Sequence, residues 1–213
     1  MKEKEIILQL LRANDWDRLE AEVKANPRFI DALIWALYQN DEETAWKAVE
    51  GFGRAIAAYK EVNVELCRDR MRRLYWALND ESGTSGCFAA PAVGEAVTRS
   101  PEVFGENALI IMTALDEPFL QAGAAWAFGR MAVLKSDLVL EMIPELILLL
   151  RSPEPGVRGL AAWALGQMGA EEAVGGLQPL AADSGSLSIY IDGALKQTTV
   201  GELAKGAIGK IRK

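Results

Sequence analysis

The chain has 213 residues, half of them apolar, and a net charge of −7, so it carries enough apolar material for an ample core. Neither half is strongly basic, and a phosphate-neutralising surface for nucleic acid is not expected. Histidine is absent, which excludes Ser-His-Asp and Cys-His nucleophile activation and any imidazole metal site.

The opening MKEKE leads into an amphipathic helix rather than a signal peptide. Three helices are predicted over 3–12, 15–25 and 27–39, with Asn14 or Asp15 and then Asn26 before Pro27 as cap and first-turn signals. They form an N-terminal cap, residues 1–40, in which Trp16 and Trp35 fall at core or interhelix spacing.

From there a six-residue pattern recurs as AVEGFG (48–53), AAPAVG (89–94), AAWAFG (124–129), AAWALG (161–166) and, more weakly, AKGAIG (204–209). Spacings of 41, 35, 37 and 43 residues with helical patterning inside each unit predict an α-solenoid. Small alanines let neighbouring helices approach and the larger apolar residue fills the gap behind them. The closing glycine marks either a helix end or a close approach. Apolar residues such as Met131 continue past it, which favours close approach.

The first repeat pairs helices near 41–58 and 61–78. Arg68, Arg70, Arg72 and Arg73 on the second can grip an acidic partner, but Glu65 and Asp69 stand close enough to neutralise them, so a solvated face is expected. NDESGTSG (79–86) follows, a connection longer than solenoid turns need and therefore a candidate site with Trp76, Asp80 and Glu81. Three chemistries fit it: caps for the flanking helices, a cation or basic partner residue, or a phosphate at the Gly-rich run, which the carboxylates oppose. Cys87 starts the next helix with no base beside it in sequence and reads as structural.

The second repeat is predicted at 87–98 and 102–114, with Pro91 tolerable only in a first turn or at a kink. The third, 117–132 and 136–150, opens with Asp116 before Pro118; the fourth, 154–168 and 171–182, opens with Ser152 before Pro153. The most apolar segment, LVLEMIPELILLL, is interrupted by Glu141, Pro144 and Glu145, so no membrane span is expected. Trp126 and Trp163 take equivalent positions in adjacent repeats and should stack, with Arg130 and Gln167 one turn on. Such a column either covers the seam between repeats or holds a planar group or a peptide side chain.

After Asp183 the pattern turns to SLSIYIDGALKQTTV, which predicts a β-hairpin over 187–200 with Asp192-Gly193 at its turn. Covering the last repeat is its expected role, with edge pairing to a partner as the alternative. Thr199 and Glu202 then form a capping box for a last helix, 200–212.

The segment VRGLAAWALGQMGAEEAVGGLQPLAAD (157–183) resembles the HEAT repeat of the bilin-lyase type, and WALNDESG is similar to a feature of small bacterial HEAT-like proteins. The resemblance implies an all-α fold, an α-solenoid of about five HEAT-like hairpins with its HEAT-like repeats at 41–182, continuous with both caps and the β-hairpin as one domain, 1–213. Proteins of this class include bilin lyases, di-iron hydroxylases, DNA glycosylases of a related fold and interaction scaffolds. Di-iron chemistry needs histidine that the chain lacks, and the charge is wrong for DNA. The expected function is a non-catalytic scaffold binding a protein partner in a reducing cytoplasm, without metal or cofactor, at Trp76, Asp80, Glu81, Trp126, Arg130 and Trp163. The alternative is a bilin-lyase-like enzyme or chaperone subunit for a tetrapyrrole or other small ligand, using Cys87 or the carboxylates Asp80 and Glu81.

Overall fold

The computed structural model describes residues 2–78 and 87–213. Helices α1 (Lys2–Ala13), α2 (Trp16–Ala25) and α3 (Arg28–Ala36) close the N-terminal end. Asp15 accepts from the Arg18 amide to start α2, and Asn14 takes the left-handed turn before it.

Helix α4 (Glu42–Leu78) bends back on itself at Asn63, whose backbone is extended (φ −157°, ψ 91°). The Asn63 side chain accepts from the Leu66 amide at 3.0 Å and so caps the second half. The break falls three residues later than the sequence pattern suggested, because this cap starts the second helix. The Cys67 thiol lies 3.8 Å from the Ile56 carbonyl, which fixes the two halves face to face.

Two rows of elements follow. The inner row is the first half of α4, α5 (Ala89–Arg99), α7 (Gln121–Met131), α10 (Pro155–Met168) and α12 (Val200–Ile211), each packed on the next. The outer row is the second half of α4, α6 (Pro101–Phe104) with a 3₁₀ segment Gly105–Leu115, α8 (Asp137–Leu140) with α9 (Ile143–Leu149), and α11 (Val174–Leu180). This is an all-helical repeat stack with one small antiparallel sheet, as expected.

Two outer helices depart from expectation. Residues 105–115 coil as 3₁₀ rather than α, and three of their four buried residues, Ala108, Ile111 and Ala114, recur every third position, the period of that helix. The predicted helix 136–150 is split, and α9 restarts with Pro144 in its first turn, where a missing amide costs nothing. Neither Asp116 nor Ser152 is an N-cap: α7 starts after Leu120 and α10 after Glu154. Arg158 instead ties the 152–153 carbonyls at 2.7 and 2.8 Å and pairs with Asp183 at 2.8 Å. Pro91 sits in the first turn of α5, as its lack of an amide requires.

The repeat glycines are points of close approach. A Cβ on Gly94 would stand 2.6 Å from that of Ala127, one on Gly166 2.5 Å from the Ala207 Cα, and one on Gly129 would overlap the Trp163 ring. Gly209, in the last member of the row, meets nothing within 4 Å.

Strands β1 (Ser186–Ile191) and β2 (Ala194–Thr199) pair antiparallel, with Asp192 and Gly193 both at positive φ in the turn. The capping box of Thr199 and Glu202 is formed at the start of α12. The hairpin does more than cover the last repeat. Leu187 fills the space above Gly159 of α10, Tyr190 stacks on Trp46 of α4 at 5.8 Å, and its hydroxyl donates to Glu50 at 2.8 Å. One short strand therefore touches the first and fourth members of the inner row, which is possible only if that row curves around it.

Candidate functional site

The residue after each repeat glycine defines a ladder. Arg54, Glu95, Arg130, Gln167 and Lys210 each follow the glycine of their own repeat, and all five line one cavity of about 560 Å³ on the inner face. In the first four members close helix stacking at the glycine holds the next side chain on the inner rim. Trp16, Glu50, Arg99, Trp126, Trp163 and the hairpin residues Tyr190 to Gly193 complete the walls.

The polar groups form one chain. Glu95, whose side chain is 2% exposed, accepts from Arg99 Nε at 2.7 Å and from Arg130 Nε at 2.8 Å. Glu50 accepts from Arg54 Nε at 2.9 Å, from the Tyr190 hydroxyl at 2.8 Å and from Arg99 at 3.5 Å. Burial opposes the Arg130 charge, but the Glu95 hydrogen bonds outweigh it and hold the guanidinium pKa above its ordinary value. Burial first, then the bond to Glu50, raises the Tyr190 phenol, so it stays a neutral donor. Carboxylates this deep are retained only because paired guanidinium groups satisfy them.

Trp126 and Trp163 stack as expected, with centroids 6.3 Å apart and planes inclined by 17°. Their roles differ. Trp126 is 1% exposed and its indole donates to the Tyr190 carbonyl at 2.8 Å, so it anchors the hairpin. Trp163 is half-buried and presents its surface beside Arg130 and Gln167. The structure thus brings Trp126, Arg130 and Trp163 together. Trp76, on the outer half of α4, is 80% exposed and is not part of this cavity. Asp80 and Glu81 lie outside the described residues.

Glu50, Arg54, Glu95, Arg99, Tyr190 and Lys210 escaped the sequence analysis as site residues. The signal was present: reading one position past each repeat glycine gives the ladder. What no local pattern shows is that Tyr190 returns across about 140 positions to Glu50. Cys87 is exposed and lines a separate recess of about 380 Å³ with Glu42, Trp46, Phe88, Phe119 and Glu154, at the start of β1, whereas the main cavity lies at its end. Cys67 is buried. The arginine cluster of α4 is neutralised as expected by Glu65 and Asp69, with Asp31 of α3 adding bonds to Arg70 and Arg73 at 2.9 Å. Among the described residues no group of three or more Cys, Asp or Glu side chains is placed to hold a metal ion, and no helix is long and apolar enough to cross a membrane.

Comparison with known proteins defines the class. The HEAT-like repeat model matches residues 118–168 and the PBS lyase HEAT-like repeat model matches 157–183. Residues 118–183 are therefore HEAT-like repeats. A protein of Archaeoglobus fulgidus, described as uncharacterized, is 35% identical over 107 residues, 49% of this chain and 55% of that protein. The match thus spans about half of that relative. Among solved structures, an engineered protein is similar with a TM-score of 0.54 at 17% identity, over 100% of this chain and 97% of that one. A designed armadillo repeat protein is similar with a TM-score of 0.50 at 16% identity, over 96% of this chain and 98% of that one. Both likenesses concern the fold, a stack of helical repeats.

Proposed function

We propose that the chain is a non-catalytic interaction scaffold that holds a protein partner on its inner face, at the cavity lined by Arg130, Trp163, Gln167 and Lys210. The observation that carries this reading is the ladder: five successive repeats each deliver a polar side chain to one cavity, a composite surface that no single repeat forms. Repeat stacks expose extended curved surfaces of this kind, and tryptophan and arginine are the side chains that contribute most when a contact is desolvated. Two free cysteines suit a reducing cytoplasm, and the net charge of −7 opposes nucleic acid as partner. The caps, repeats and hairpin act as one domain, since the hairpin ties the last repeat to the first.

The test is affinity capture of the tagged chain from its own host at native expression, with mass spectrometry of protein and small-molecule fractions. A stoichiometric protein is expected with the wild type and is lost with Trp163→Ala, while circular dichroism stays unchanged. A stoichiometric chromophore or metabolite without a protein would overturn the scaffold reading.

A further inference from the structure

Charge in the cavity is unbalanced at one end. Glu50 serves Arg54 and Arg99, Glu95 serves Arg99 and Arg130, and Asp192 pairs with Lys196 at 3.1 Å. Lys210 is left over. Its Nζ donates to the neutral Gln167 Oε1 at 2.8 Å, and no carboxylate of the described residues reaches it. Arg130 commits Nε and Nη2 to Glu95, and Nη1 finds no acceptor among the described residues. Trp163 lines the same cavity, half-buried. Two cationic donors and an aromatic surface therefore line one cavity of a chain whose net charge is −7.

Helix dipoles explain part of this. Arg130 and Lys210 stand in the last turns of α7 and α12, where a cation is favoured by the aligned carbonyls. The dipole accounts for a cation in each last turn, not for the opening of both onto one tryptophan-lined cavity whose carboxylates are already committed.

We propose that this end of the cavity receives a carboxylate side chain of the partner, held by Lys210, with an adjacent aromatic or apolar side chain of the same segment against Trp163. The inference rests on the scaffold reading and names the partner chemistry: an acidic segment that carries bulky apolar residues. Ile191, Asp192 and Gly193 wall the cavity on the hairpin side, so the segment enters by its side chains and does not run through the groove as a long strand. Charge-assisted hydrogen bonds to a carboxylate contribute enough to set a preference of about tenfold or more over the neutral isostere.

The probes are acetyl-Asp-Phe-Asp-Phe-amide and its counterpart with Asn in place of Asp, titrated into the full chain by calorimetry and by NMR of the indole N–H signals. The acidic peptide is expected to bind at least about tenfold tighter. The preference should weaken with added salt, and the shift should appear at the Trp163 signal. Lys210→Glu, on an exposed helix position, removes the preference; Lys205→Glu, the same charge change elsewhere on α12, keeps it. Equal binding of both peptides, binding of neither, or a preference that survives Lys210→Glu would overturn the proposal. The two readings separate with the captured partner. If its binding is lost with Trp163→Ala and kept with Lys210→Glu, the scaffold stands and the carboxylate contact falls; if both variants keep it, both readings fall.

Discussion

At Gly94 a single added methyl would meet the Cβ of Ala127 at 2.6 Å, too close for either backbone to accept unmoved. Gly94→Ala should therefore destabilise the fold by about 1–3 kcal/mol, the usual cost of overpacking, read as a lower urea midpoint. Gly209→Ala is the internal control. The position is helical, exposed and free of neighbours, so the same change should raise stability by about 0.5–1 kcal/mol. Equal effects at both sites would mean that the glycines serve helix propensity and not close stacking.

Cys67 makes a second prediction at this scale. Burial pushes its thiol from an ordinary value of 9.0 up to about 11, against the pull of Arg70 and Lys60. Below pH 9 the thiol is protonated whether the chain is folded or not, and its contribution is fully present. Between pH 9 and about 11 the unfolded chain releases the proton and the folded chain keeps it, so stability falls by about 1.4 kcal/mol per pH unit. Urea midpoints for wild type and Cys67→Ala from pH 8 to 10.5 test this. The variant starts lower, because a packed side chain is lost, but declines less steeply.

Among elements, the β-hairpin is the one whose role exceeds what its neighbours in sequence suggest. Tyr190 joins a cluster with Trp46 and Trp126, accepts the Trp126 indole bond on its carbonyl, and donates to Glu50. Tyr190→Phe removes one hydrogen bond and should cost about 1 kcal/mol, whereas Tyr190→Ala removes the ring as well and should cost about 3–5 kcal/mol. Hydrogen exchange adds a spatial readout: Tyr190→Ala should accelerate exchange in β1 and at Trp46, far away in sequence on α4. If exchange rises only in the hairpin, the strand is an appendage of the last repeat and not a clasp on the first.

The elements also show where sequence was readable. The hexamer AAWAFG and its repeats place the inner row, because the alanine spacing and closing glycine are local consequences of close helix stacking. Asp192-Gly193 and the Thr199 to Glu202 box are equally local, and both are found in place. The outer row was less legible. Asn63 looks like an ordinary polar helix residue until its side chain is seen capping the turn at 3.0 Å, and the three-residue period of Ala108, Ile111 and Ala114 is hidden by other apolar residues in the same run. For the site, Trp126, Arg130 and Trp163 were visible as a column, but Glu95 reads as a surface carboxylate in the helix AAPAVGEAVTR. Its burial depends on Arg99 and Arg130, one of them from the next repeat.

At the scale of the molecule, the fold turns a row of stacked helices into a curved wall and lays a strand across it. Beside that strand the wall is lined by arginines paired with Glu50 and Glu95, and in its last repeats by Trp163, Gln167 and Lys210. The central claim is that a protein partner sits there. The most direct measurement is site-specific photo-crosslinking in the native host, with the reactive group placed at Gln167 in the cavity or at Leu148, an exposed residue of α9 outside it. A single protein adduct is expected from Gln167 and none from Leu148. Adducts of the same protein from Leu148 alone, or equally from both positions, would contradict the claim.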